Sequence, residues 1–196
     1  MTNLISNLEK NGFEVVSVAT KEEALEVAKK FVKEGESVGL GGSTSVSECG
    51  LLAWLVGAGR EGRVELFNQY EEGITKDEDA RRRRMGLVSD VYFCSTNAVS
   101  GEGWLVNADG SGNRVAALNF GPKKVVLVVG KNKICGSLEE AVERVKSVAA
   151  VKNMERFAKK GVKFACADEL VKKISVIKGD VSGRICVILV DDELGF

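Results

Sequence analysis

Val125-Val126-Leu127-Val128-Val129 is the stretch on which the reading of this chain turns. A strand that faces water on one side alternates apolar with polar residues. This run does not alternate, so it suits a strand buried on both faces, as in a parallel sheet. Downstream, Ser137 to Val148 reads as a helix, with Ser137 and Glu140 as a capping box. A second helix follows to about Lys160, and Ile174–Ile177 and Ile185–Val190 read as the last strands. Upstream, Asp90–Ser95 is an apolar strand behind a helix over Asp77–Val88, and Val64–Phe67 is a short strand. Ser37–Leu40 is a strand that opens, through Gly41-Gly42-Ser43-Thr44-Ser45, into a helix over Val46–Val56 ended by Gly57 and Gly59. Glu14–Ala19 is a strand, and Thr20 with Glu23 caps the helix after it. Ala24, Leu25, Ala28, Phe31 and Val32 fall at helical spacing in that helix. Glu102–Val106 and Arg114–Phe120 read as paired strands joined by the turn-rich Asn107–Asn113. Strands and helices that alternate along the chain predict an α/β fold, a mostly parallel sheet flanked by helices.

At 196 residues, one domain spanning 1–196 is expected. A chain of this size buries roughly 70% of its unfolded surface and needs no disulfide staples. Its 28 basic and 28 acidic residues cancel, which argues against nucleic acid as a partner. The one dense basic run, Arg81–Arg84, sits behind Asp77, Glu78 and Asp79. Acid first and base last is the order a helix dipole favours, so the run reads as a solvated helix end or, alternatively, a phosphate or partner patch. The five cysteines are scattered without a C-x-x-C clip, which predicts free thiols in a reducing compartment. No signal peptide or membrane span is legible, and a cytoplasmic location is expected. There is no histidine, which removes Ser-His-Asp and Cys-His devices and His-based metal sites. Proton transfer near neutral pH then falls to a shifted carboxylate, a lysine, a cysteine or water.

Two loops could carry chemistry. In Gly41-Gly42-Ser43-Thr44-Ser45, glycines allow close backbone approach and the free N–H groups after them suit an anion. Ser45 and Glu48 could equally form a capping box and nothing more. The loop's place after a strand favours binding, because ligands in α/β sheets sit at the carboxyl ends of strands. Gly57-Ala58-Gly59-Arg60-Glu61-Gly62 matches a dinucleotide fingerprint, but it follows a helix and precedes a strand, the wrong context. It reads as a helix-end loop. The second loop runs from Asn97 to Arg114 and holds Glu102, Asn107, Asp109, Gly110, Ser111 and Asn113. Two turns account for its glycines and Asp109. Arg114, whose planar fork could hold a carboxylate or phosphate, is a ligand candidate. Glu102 is the acid that could serve as base or nucleophile if it lay in a dry pocket.

Both loops resemble motifs of the LUD (lactate utilisation) domain family. The first is Gly41-Gly42-Ser43-Thr44-Ser45-Val46-Ser47-Glu48-Cys49-Gly50-Leu51-Leu52. The second is Ser95-Thr96-Asn97-Ala98-Val99 with Glu102-Gly103, then Leu105 through Ala117, then Phe120-Gly121-Pro122-Lys123-Lys124-Val125. The ending Asp192-Glu193-Leu194-Gly195-Phe196 also fits, so the resemblance spans about Leu8 to Phe196. It implies a fold like the NagB/RpiA/CoA-transferase group, whose members bind sugar phosphates, CoA esters or folates. Some LUD proteins are linked to oxidation of lactate to pyruvate alongside iron–sulfur proteins. Two segments depart from the pattern. Where relatives often carry an acid and an arginine this chain has Asn68-Gln69-Tyr70, and of a cysteine cluster before the final strands only Cys166 remains, with Cys186 inside a strand. A metal or cluster site there is therefore not expected, and the sequence leaves any cofactor unknown.

Two functions follow as expectations. One is a small anionic metabolite (phosphate, carboxylate or CoA-like) held by Gly41, Gly42, Ser43, Thr44 and Ser45 with Asn97, Asn107, Asp109, Gly110, Ser111, Asn113 and Arg114, and turned over in organic-acid metabolism. The other is a non-catalytic accessory or sensor subunit that docks on an iron–sulfur redox partner. A homodimer is expected on the frequency of closed symmetric assemblies.

Overall fold

The computed structural model describes residues 2–159, 161–181 and 183–196. Its main sheet has six strands, all paired in parallel: β1 (Glu14–Val18), β9 (Ile185–Val190), β7 (Lys124–Gly130), β4 (Val91–Cys94), β2 (Ser37–Leu40) and β3 (Glu65–Phe67), in that spatial order. The run that opened the sequence reading is the heart of β7. Val126 and Val128 pack into one core with α2 (Lys21–Lys29), α3 (Thr44–Glu48) and α4 (Leu51–Arg60). Val125, Leu127 and Val129 pack into a second core on the other face, with α1 (Thr2–Lys10) and α6 (Asn113–Asn119). The run lacks polar residues because each of its faces meets a core. β9 divides in the same way, Cys186, Ile188 and Val190 to the first core and Ile185, Val187 and Leu189 to the second.

A second, antiparallel sheet of three strands joins β5 (Ala98–Val99), β6 (Leu105–Asp109) and β8 (Lys173–Ile177). Behind it, Ala98 and Val106 pack on Ala141 and Val145, from α7 (Leu138–Arg144) and the π-helical turns of residues 145–150. These turns lead directly into α8 (Val151–Ala158); Lys160, where the sequence placed that helix's end, lies outside the described residues. The remaining helix, α5 (Lys76–Gly86), is capped by Thr75.

Several expectations are corrected. Arg114–Phe120 is not a strand. Arg114–Asn119 lies in α6, which buries Arg114, Ala117 and Leu118 at helical spacing, and Phe120 is the extended residue that ends it. Asn107 and Asp109 belong to strand β6, not to a turn, and the partners of β6 are β5 and β8. The expected helix over Val46–Val56 is two helices, broken at Gly50, whose φ of 82° is left-handed. Gly57 and Gly59 do not end it, because α4 runs through both to Arg60 and Gly59 lets Leu66 of β3 pack close. The cap of α3 is Ser43, whose Oγ accepts from the Val46 amide, and not Ser45. Helix α1 and strand β5 were not legible at all. The Arg81–Arg84 run is a helix end as expected, with Arg81 and Arg82 paired to Glu78 and Arg83 to Asp79.

Candidate functional site

Three adjacent strands, β2, β4 and β7, end on the same edge of the sheet. Their carboxyl-end loops are Gly41–Ser43, Ser95–Asn97 and the turn Lys131–Lys133. This is where an α/β sheet places ligands. A cleft of about 700 Å³ opens there, within the usual size for a small-molecule site. Gly42, Ser43 and Thr44 line one side, and Asn97, Asp109, Gly110, Ser111, Asn113 and Arg114 line another. The structure thus brings the two glycine-rich loops together. Gly41, Ser45 and Asn107 are buried just beneath the surface. Glu102 is not part of the cleft. It sits exposed in the turn between β5 and β6, and a hydrogen bond with Ser100 holds its carboxyl below the usual value, the opposite of what a base needs.

The glycines serve the protein's own packing. A Cβ on Gly41 would lie 2.6 Å from the Cys94 Cβ and 3.3 Å from the Arg114 Cδ. One on Gly42 would lie 2.8 Å from the Tyr70 hydroxyl. Tyr70 lines the cleft and Gln69 Nε2 donates to its hydroxyl and to the Leu40 carbonyl, so the segment Asn68-Gln69-Tyr70 forms part of the wall.

Arg114 forms the floor and is 7% exposed. Nε donates to Asp109 Oδ1 at 3.1 Å. Nη1 donates to the Ser95 carbonyl at 3.0 Å and Asn107 Oδ1 at 2.8 Å, and Nη2 to Asn97 Oδ1 and the Ala108 carbonyl, each at 2.7 Å. A guanidinium has five N–H donors, and all five are engaged. Burial opposes the charge, but the Asp109 carboxylate outweighs it and holds the pKa above its ordinary value. Asp109 also accepts the Val115 amide of α6 through Oδ2, fixing that helix to the end of β6.

Lys133 is the residue the sequence reading missed. It ends the turn after β7, is 2% exposed, and lines the cleft. Its Nζ donates to Ser45 Oγ at 2.8 Å and Ser95 Oγ at 2.9 Å. Each of the three strands therefore delivers one member of the cluster: Ser45 after β2, Ser95 after β4, Lys133 after β7. The two hydroxyls donate hydrogen bonds of their own to backbone carbonyls, Ser45 to Leu194 and Ser95 to Thr96. Among the described residues, no carboxylate pairs with the amine. Burial, with Arg144 and Arg114 nearby, brings its pKa down to about 7. Arg144 braces the cluster from α7 by donating to the carbonyls of Asn132 and Asn97. The segment Asp192–Phe196 closes it from beneath. Asn132 accepts from the Leu194 amide and donates to the Gly195 carbonyl, and Glu48 accepts from the Gly195 amide. Gly195 has a φ of 59°, and a Cβ there would meet Ser45 Oγ at 2.6 Å, so only glycine lets the tail lie so close.

At the cleft's outer side, α5 contributes Arg83, α8 contributes Arg156, and Lys172 stands just before β8. Arg83 is paired with Asp79, while Arg156 is half-buried, bonded to Asn153 and set over the Phe157 ring. A position at the end of a buried strand was the signal available for Lys133, but the sequence does not say which of Lys131 and Lys133 turns inward. Lys131 turns out to Asp191.

An α/β protein with a ligand-sized cleft at the carboxyl ends of its parallel strands is the class this geometry defines. The model of the LUD domain family matches residues 1–190, and the chain belongs to that family. Comparison with curated proteins finds no match. Among solved structures, a DUF162 family protein from Deinococcus radiodurans is similar with a TM-score of 0.54 at 16% identity, over 96% of this chain and 94% of that one. At that identity the likeness is one of fold. No helix among the described residues is long and apolar enough to cross a membrane.

Proposed function

We propose that this protein binds a small anionic metabolite, a carboxylate or phosphate, in the cleft between the two glycine-rich loops, and acts on it in organic-acid metabolism. One observation carries the reading. Among the described residues, Arg83, Arg114, Arg156, Lys133 and Lys172 line the cleft against Asp79, Asp109 and Glu169. Two of these acids are already paired, Asp79 with Arg83 and Asp109 with Arg114. Arg156 and Lys172 then face the cleft with Glu169 alone, among the described residues, to balance them, before any charge on Lys133 is counted. A concave site with one sign of charge in excess concentrates the opposite ion. Membership of the LUD domain family fits a role in lactate utilisation.

Arg114 supports this site from below rather than gripping the ligand, because no N–H is left to offer. The direct anion contact falls to Arg156 and Lys172. A thermal-shift screen with lactate, pyruvate, sugar phosphates and CoA esters tests the reading. A ligand at 100 times its Kd adds about 2.7 kcal/mol of stability. The Arg156→Ala variant is expected to fold normally and lose that shift. No stabilisation by any class would favour the accessory or sensor function instead.

A further inference from the structure

We propose that Lys133 is the reactive amine of this cleft, and that it forms a carbinolamine and then an imine with a small aldehyde or ketone bearing a carboxylate or phosphate. The inference rests on the anion-binding reading of the cleft and names the chemistry that follows binding.

The geometry counts protons. Lys133 Nζ has two acceptors, Ser45 Oγ and Ser95 Oγ. A neutral amine has two N–H bonds and one lone pair, whereas an ammonium has three N–H bonds. Two acceptors saturate the neutral form and leave its lone pair free. They would leave one N–H of the charged form without a partner at a site 2% exposed, which costs free energy. The depressed pKa agrees with this count. A desolvated, uncharged lysine is a nucleophile, and carbonyl compounds are its natural electrophiles. The cation excess around the cleft supplies the second half of the substrate description, an anionic group on the carbonyl compound.

In the step itself, the Nζ lone pair attacks the carbonyl carbon and the C=O π pair moves to oxygen. One amine proton passes to that oxygen, giving the carbinolamine. The hydroxyl then leaves as water, taking a proton with it, and the C=N bond forms. No oxidant or reductant is consumed. Ser95 Oγ, 2.9 Å from Nζ and lining the cleft, is placed to relay these protons. Ser45 is fully buried and only orients the amine.

The test is reductive trapping of the full chain with glyoxylate or pyruvate and sodium borohydride, followed by peptide mapping, with thermal shifts measured in parallel. A single rapidly formed adduct on Lys133 is expected. It should vanish in both Lys133→Met and Lys133→Arg, and form about 10²-fold more slowly in Ser95→Ala. The map of the wild-type protein decides the matter even if a variant fails to fold. Adducts spread over the exposed lysines at equal rates would overturn the proposal. If pyruvate stabilises the protein but Lys133 stays unmodified, the imine falls and anion binding stands. If neutral acetaldehyde labels Lys133 as fast as glyoxylate, the amine chemistry stands and the anionic substrate class falls.

Discussion

Arg114 reaches the cleft from α6 and Lys133 from the turn after β7, and water is almost excluded from both. Around Arg114 the protein supplies a carboxylate, two asparagine oxygens and two backbone carbonyls. Around Lys133 it supplies two hydroxyls, and no carboxylate among the described residues bonds to the amine. The result is a cation held above its ordinary pKa beside one brought down to about 7. Burial alone therefore does not decide what a charged side chain is for; its partners do. A buried charge with every donor matched is architecture. A buried amine with no carboxylate bonded to it, in a cleft, marks a candidate for chemistry.

The comparison breaks most sharply under mutation. Arg114→Met leaves Asp109 nearly buried without its cation and removes the side-chain bonds from α6 to Asp109, Asn107 and Ala108 of β6. A loss of about 3–5 kcal/mol is expected from a urea unfolding midpoint. In a double-mutant cycle, Arg114→Met with Asp109→Asn should cost less than the sum of the single changes. If Arg114→Met were as stable as wild type, the arginine would not be structural, and its donors would be available to a ligand.

Lys133 should respond in the opposite sense, and through pH. Its folded pKa of about 7 lies below the value near 10.4 of an exposed lysine. Between these two values the unfolded chain binds the extra proton, so stability rises with pH, by up to about 1.4 kcal/mol per pH unit. Below pH 7 both states are protonated and the difference is flat at its least favourable level. The groups facing the amine are Arg144, Arg114, Glu48 and Cys94. Of these, the arginines stay charged throughout, and burial pushes the Cys94 thiol up to about 12. Subtracting the Lys133→Met curve from wild type therefore isolates the amine. A flat difference from pH 7 to 10 would mean an ordinary, charged lysine.

The same contrast marks what the sequence could say. The apolar runs of β7 and β9 announced a buried parallel sheet, because packing both faces against cores demands that composition. The two glycine-rich loops announced a site, because they follow strands and carry turn residues. Arg114 was singled out as a cation beside an apolar stretch, but its strand was a helix. Seven residues with Val115, Ala117 and Leu118 buried or half-buried fit either period, and the Asp109 bond to the Val115 amide in the first turn of the helix needs Asp109 placed at the end of β6. Lys133 was invisible for a deeper reason. Its neighbours in space are Ser45 and Ser95, distant in sequence by 88 and 38 residues, and only the sheet order joins them.

Ser43 and Ser45 repeat the comparison on a smaller scale. The sequence allowed Ser45 to cap α3. The structure gives the cap to Ser43 and turns Ser45 inward to Lys133 and Leu194. Ser43→Ala should then cost about 1 kcal/mol in thermal unfolding. Trapping at Lys133 should be unaffected, since the cap and the amine are served by different serines. A loss of trapping with unchanged stability would show that Ser43, which lines the cleft, serves the bound carbonyl compound and not the helix.

Glu102 supplies the weakest effect and the clearest control. It is the acid that sequence reasoning nominated, and it lies outside the cleft on a solvated turn. Its carboxyl is held low by Ser100, so near neutral pH it carries no proton to give and has little basicity to use. Glu102→Gln should leave the melting temperature, the ligand-induced shift and the rate of trapping at Lys133 where they are in wild type. The arms of this control differ in meaning. A change in melting temperature alone would show that the turn between β5 and β6 depends on the Ser100 bond. A change in trapping rate at constant melting temperature would show that the cleft extends to this turn, and that an acid acts with the amine after all.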